Sequence, residues 1–174
     1  FNEDRTNGSC EDEYTLTRTW TATDNCGNST QGIQTITIID STNPVLANVP
    51  ADETVECDAI PTEATNVTAT DNCDEDVTVE FNEDRANGDC EDAYTLTRTW
   101  TATDNCGNST QGIQVITVQD STDPVLANVP ADVTVECDAI PAEATDVTAT
   151  DNCDENVEIE FSEERTNAEC EDSY

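Results

Sequence analysis

The chain has 174 residues, with 40 Asp and Glu against five Arg, no Lys, no His and no Met, for a formal net charge of −35. So negative a surface repels phosphate backbones and anionic lipids and attracts cations, which argues against nucleic acid and membrane surfaces as partners. No apolar run approaches the roughly 18 residues that span a bilayer, and no signal peptide is visible, so the chain reads as mature or as an excerpt of something longer.

Along the chain, "FNEDRTNGSCEDEY" at 1–14 returns as "FNEDRANGDCEDAY" at 81–94 and as "FSEERTNAECEDSY" at 161–174, a period of 80 residues. Residues 1–80 and 81–160 are identical at 67 of 80 positions. Internal repetition of this kind sets the fold question before any single element does. The segments "DSTNP" (40–44) and "DSTDP" (120–124) interrupt hydrophobic alternation with Asx and Pro, the residues of turns and linkers. Boundaries near 40 and 120 follow. Residues 1–40 read as the C-terminal part of a preceding repeat, 41–120 as one complete repeat, and 121–174 as the N-terminal part of a following one.

Within 41–120, "PVLANVP" (44–50) predicts a short first strand, kept at an edge by its prolines. "TVEC" (54–57) and "VTVEF" (77–81) alternate and read as strands. "YTLTRTWTATD" (94–104) alternates throughout, with Tyr94, Leu96, Arg98, Trp100 and Ala102 on one side and Thr on the other, the pattern of a half-buried strand. "QVITV" (114–118) closes the series, and no window carries a helical stripe. The fold class expected is all-β: tandem Ig-like β-sandwich repeats of 80 residues, arranged as a rod by their five-residue linkers. One Trp and a few aromatics and β-branched residues per repeat make a thin core that needs covalent staples.

The nine cysteines include no C-x-x-C pair and there is no His, so zinc-site spacing is absent and disulfides formed in an oxidising compartment are expected. Cys90 and Cys106 flank a strand of roughly 35 Å, too long for the Cα separation of about 7 Å that a disulfide allows. Cys57–Cys73 is disfavoured, because a turn near Pro61 sets Cys57 opposite residues around 65. In Ig topology the second and sixth strands run in the same direction, so the expected pairs are Cys57–Cys90 and Cys73–Cys106, with Cys137–Cys170 repeating the first. Local pairing stays open as the alternative.

"PVLANVPADVTVEC", "VTATDNCDE" and "RTWTATDNCGN" resemble the hyalin-repeat (HYR) type of Ig-like domain, and more closely the Cys-rich tandem repeats of large secreted bacterial surface proteins and adhesins. Asp71, Asp104, Gly107 and Asn108 match the family's "A-T-D" loop and its "A-x-D-x-x-G-N" strand end. The resemblance covers the whole period and implies an extracellular location. Val49 and Gln111 or Gly112 stand where hyalin repeats carry cysteine, so the family's disulfide connectivity does not carry over. The linker "VQDSTDPV" is similar to the calcium-binding linker between cadherin domains.

An Ig arrangement gathers Asp71, Asp74, Asp104 and Asn108 near Asp40 and Asn43 of the linker, with Glu11 and Asp12 arriving from the preceding repeat. The next junction repeats the set as Glu91, Asp92, Asp120, Asp123, Asp151 and Asp154. Calcium takes six to eight oxygen ligands in irregular geometry, which suits such a cluster, and carboxylates gathered without a cation repel one another. The alternative is that these acids are solvated surface. Asn7, Asn28, Asn66 and Asn108 satisfy N-x-S/T, "DRxNG" (84–88) reads as a polar loop, and Arg98 is a candidate cation–π partner.

Catalysis is not expected: there is no His or Lys base, the cysteines are expected in disulfides, and no Ser lies in a nucleophile elbow. The missing Lys also removes Lys–Asn isopeptide cross-links. The sequence points to a structural segment of an extracellular fibre or adhesin stalk, partnered head to tail by other copies of the repeat and stiffened by disulfides and calcium. The alternative is an adhesion module whose repeats bind surface glycans or proteins.

Overall fold

The structure is a computed structural model and describes residues 1–166. All regular structure within it is β, and among the described residues no helix is long and apolar enough to cross a membrane. Strands β1 (Asn2–Asn7), β2 (Tyr14–Thr23) and β3 (Ser29–Ile38) form an antiparallel three-stranded sheet in chain order. β4 (Val45–Ala47) pairs antiparallel with β6 (Thr68–Thr70), with Val45 opposite Thr70. β5 (Glu53–Glu56), β7 (Thr78–Asn87), β8 (Tyr94–Thr103) and β9 (Ser109–Gln119) make a four-stranded sheet in the order β5-β9-β8-β7. β10 (Val125–Ala127) and β11 (Thr148–Thr150) repeat the β4–β6 pair one period later.

The alternation read in 94–104 is the alternation observed. Leu96, Arg98, Trp100 and Ala102 are buried while the intervening Thr side is half-buried. Ile116 and Val118 of β9 complete the core, and Phe81 lies 5.3 Å from Trp100 between ring centroids. Residues 46–49 and the Pro61 and Thr62 carbonyls lie against this face. A Cβ at Gly112 would lie 2.6 Å from Val49 Cγ2 and 3.2 Å from Leu46 Cδ1, so that segment approaches β9 as closely as glycine alone permits. Arg98 is an internal fastener. Its Nε donates to Glu83 Oε2 at 2.7 Å, and its terminal nitrogens donate to the carbonyls of Pro61 (2.8 Å) and Thr62 (3.2 Å). The Tyr14 ring stacks under the Arg5 guanidinium, with 3.9 Å from Arg5 Cζ to the ring centroid.

Two elements differ from the sequence expectation. The first strand is only three residues, because Asn48 turns into the left-handed region at φ 63°. Thr68–Thr70, inside the phrase read as a loop, is a strand, since β4 needs a partner for its backbone groups. Spatially the chain divides into two compact units that cut across the period: Phe1–Thr54 with Pro61–Ala86 and Thr95–Thr117, and Val55–Ile60 with Asn87–Tyr94 and the chain from Val118 onward.

Candidate functional site

The phrase "TATDNCGN" is a strand end followed by a self-clamped turn. The Asp104 N–H donates to Asn108 O at 3.1 Å and the Gly107 N–H to Asp104 O at 3.2 Å, with Gly107 at φ 90°. The Asp104 carboxylate then accepts from the Cys106 and Asn108 backbone N–H groups (2.9 and 2.8 Å) and from the Asn108 side-chain amide (2.8 Å). Burial pushes the Asp104 pKa up, but the hydrogen bonds from Asn108, Cys106 and Gly107 outweigh it and hold the group below the usual carboxylate range. Asp24 makes the same bonds to Cys26 and Asn28 one period earlier. Asp104 and Asn108, expected as metal ligands, thus spend their polar groups on the loop that presents Cys106.

Around that loop the first unit gathers most of the acids expected at the first junction. Asp74 bridges two loops, accepting from the Asn105 N–H at 2.8 Å and the Asp76 N–H at 2.9 Å. Asp12 accepts from the Asn105 side-chain amide at 2.6 Å. Asp71 Oδ1 accepts from Cys73 and Asp74, and Asp40 Oδ1 from the Thr42 N–H. The other oxygens, Asp71 Oδ2 and Asp40 Oδ2, are buried without a hydrogen-bond partner. Asp40, Asp71 and Cys73 each bring a ligand atom within 4.8 Å of the others. Burial, followed by the charges of Asp40, Asp12, Asp71 and Asp104, pushes the Cys73 thiol up. Glu11 and Asn43 are exposed on adjoining segments.

The second unit holds the next set. Glu56, Asp120 and Cys153 bring ligand atoms within 4.8 Å of one another. Glu56 accepts from the Ser121 hydroxyl (2.6 Å), the Ser121 N–H (3.1 Å) and Gln119 (3.4 Å); the Ser121 bonds hold it below the usual range. Asp151 Oδ1 accepts from the Cys153 and Asp154 N–H groups, which lower its pKa, while Asp151 Oδ2 is buried and unpartnered. Glu91, Asp92, Cys153 and Asp154 line one cleft. Asp123 is exposed. Glu56 and Asn105 are the participants that sequence reasoning missed. Their signal is adjacency: Glu56 precedes Cys57, and Asn105 precedes Cys106.

The disulfides correct the sequence expectation. Cys10 is bonded to Cys106 with Cα atoms 5.0 Å apart, and Cys57 to Cys153 with Cα atoms 5.8 Å apart. Cys57–Cys90 and Cys73–Cys106 do not form, and Cys26, Cys73, Cys90 and Cys137 are exposed thiols. Cys170, expected to pair with Cys137, lies outside the described residues. Cys73 and Cys106 do share one end, where Asp74 bonds Asn105. Cys57 and the loop after Cys90 share another, around Cys153. Both bonds instead join cysteines of different 80-residue sequence periods.

Residues 45–118, which contain Cys57, Cys73, Cys90 and Cys106, match the family model of the HYR-like domain with 4 cysteines. The match supports an HYR-like likeness for this stretch. No curated protein and no solved structure matches the chain. In the matched stretch all four cysteines sit on loops or just past strand ends, two of them bonded outside the matched residues, to Cys10 and Cys153.

Proposed function

We propose that the chain is a segment of an extracellular fibre or adhesin stalk, in which HYR-like repeats carry load and calcium stiffens the acidic junctions. The observation that supports this best is the pair of disulfides. Each closes 96 residues and joins positions in different 80-residue periods, so tension along the chain passes through covalent links between repeats. A role in construction needs no base or nucleophile, in keeping with a chain that lacks His and Lys.

Calcium fits the donor set. Asp40 is only 9 % exposed yet has an oxygen without a partner, as do Asp71 and Asp151. A buried carboxylate oxygen left unpaired is costly unless a cation takes it. In the second cluster Cys153 is already in a disulfide and offers no thiolate to a soft metal, whereas Cys73 in the first is a thiol. Hard oxygens are present in both: Asp40 and Asp71 in one cluster, Glu56 and Asp120 in the other. The alternative glycan- or protein-binding reading would need an exposed aromatic platform. Trp20 is 46 % exposed, but it is the image of Trp100, which is 2 % exposed, so it is a core position whose cover belongs to another repeat.

The test is persistence length of a multi-repeat protein by electron microscopy or small-angle scattering, in calcium and in chelator. The stalk reading expects a stiff particle in calcium that bends on chelation while each repeat stays folded. Equal stiffness in both would make the acids solvated surface.

A further inference from the structure

We infer that the exposed thiols Cys26, Cys73, Cys90 and Cys137 are cross-linking sites for further copies of this repeat, so that every junction is closed by two parallel disulfides. The inference rests on the tandem-repeat reading above. It comes from applying the period to the bonds that are present.

Both observed disulfides have a sequence separation of 96. That is one period of 80 plus the 16 residues that separate Cys10 from Cys26, Cys57 from Cys73, and Cys90 from Cys106. Each cysteine is therefore bonded to the image, one period later, of the cysteine 16 positions downstream. The four thiols are images of bonded cysteines. Cys26 corresponds to Cys106, Cys73 to Cys153, Cys90 to Cys10 and Cys137 to Cys57. The surroundings correspond as well. Cys73 lies beside Asp40 and Asp71 where Cys153 lies beside Asp120 and Glu56. Cys26 is presented by the same Asp-clamped turn as Cys106.

The first junction thus shows the Cys10–Cys106 bond with Cys73 waiting, and the second shows the Cys57–Cys153 bond with Cys90 waiting. Laid over one another by the period, they describe one junction with two bonds. The partner each thiol lacks is supplied by a neighbouring repeat: Cys26 and Cys73 by the one before, Cys90 and Cys137 by the one after. The strand that separates Cys90 from Cys106 within a repeat is what makes this possible, because it sets them at opposite ends.

Bond formation needs a two-electron oxidant, and a low-molecular-weight disulfide supplies it. One thiolate attacks that disulfide and releases a small thiol. The neighbouring thiolate then attacks the mixed disulfide, releases the second small thiol, and completes the protein S–S bond.

The experiment uses the full chain extended after Tyr174 by one more copy of residues 95–174, refolded in a glutathione redox buffer and mapped by non-reducing peptide mass spectrometry. Cys90 should be found linked to the added copy of Cys106, and Cys137 to the added copy of Cys153, with Cys10–Cys106 and Cys57–Cys153 retained. Cys90 or Cys137 remaining open to alkylation, or linked to a cysteine of its own repeat, overturns the proposal. The unextended chain gives a second measurement. A second copy displaced by two periods sets its Cys26 against Cys90 and its Cys73 against Cys137, so oxidised dimers should contain those two pairs. Dimers held by other pairs count against the ladder. A correctly mapped array that is equally flexible with and without calcium would keep the ladder and overturn the calcium-stiffened stalk.

Discussion

Replacing Asp104 by Asn tests whether this carboxylate is a clamp for the Cys106 loop. The wild-type group accepts three hydrogen bonds at 2.8–2.9 Å from Cys106 and Asn108. In Asp104→Asn the remaining oxygen keeps two of them in weaker, neutral form. The new amide faces the Asn108 amide, donor against donor. Hydrogen bonds to a charged group are worth about 1.5–3 kcal/mol and an unmatched buried donor about 1–3 kcal/mol. We expect a loss of about 2 kcal/mol, or roughly 4–8 °C in Tm for a chain of this size. The chain contains its own control: Asp24 makes the same bonds to Cys26 and Asn28 but is exposed, so Asp24→Asn should lower Tm less. The double variant Asp104→Asn with Asn108→Asp restores a donor–acceptor match and should recover most of the loss. Acid gives an independent readout. Because folding depresses the Asp104 pKa, its contribution is complete above the unfolded value of about 3.9 and is lost as pH falls through the lower folded value. Asp104→Asn should therefore flatten the acid limb of the stability curve. Thermal melts by circular dichroism with the disulfides intact decide the matter. An unchanged Tm for Asp104→Asn, or an equal drop for Asp24→Asn, would refute the clamp.

Arg98 and Arg18 make the same 2.7 Å ion pair, with Glu83 and Glu3, at very different burial. Arg98→Ala also strands the Pro61 and Thr62 carbonyls and should cost about 2–4 kcal/mol in chemical denaturation, whereas Arg18→Ala should cost at most about 1 kcal/mol. Gly112→Ala pushes a methyl into Val49 and should destabilise by about 1–3 kcal/mol, with chemical-shift changes in residues 45–49. Reduction of Cys10–Cys106 and Cys57–Cys153 releases two loops of sequence separation 96. Chain entropy predicts a loss of roughly 4–5 kcal/mol for each, read as a lower denaturant midpoint in a phosphine reductant.

The strands were legible because burial on one face imposes alternation, and "YTLTRTWTATD" obeys it from Thr95 to Thr103. The acids of the junction were legible for a related reason: strand direction fixes which loops share an end, so Asp71, Asp74 and Asp104 could be grouped before any coordinates. The role of Asp104 was not. Whether a carboxylate faces outward to a cation or inward to its own turn depends on the Asn four residues later, and "DNCGN" supports either until the backbone is known. The disulfides were hidden by the repetition itself. Cys10 and Cys90 have nearly identical neighbours, as do Cys26 and Cys106, so local sequence cannot say which copy of a partner is taken. Only the choice of end carries information, and it was spent on pairing within a repeat.

The decapeptide at Tyr14–Thr23 shows the same limit in the core. It is identical to Tyr94–Thr103, and both are ten-residue strands. Leu96, Arg98 and Trp100 are buried, whereas Leu16 and Arg18 are half-buried and Trp20 is exposed. Local propensity is therefore enough to make the strand and not enough to make the core. What differs is the cover. Residues 46–49 and 61–62 supply it, bringing Val49 to Gly112 and the Pro61 and Thr62 carbonyls to Arg98. At β2, Arg18 keeps its Glu3 partner, and among the described residues its guanidinium makes no bond to a carbonyl of the kind Arg98 makes. The fate of each residue in a repeat is thus set by its period neighbours as much as by its own sequence, which is the expected behaviour of a unit whose stability is shared with the units beside it.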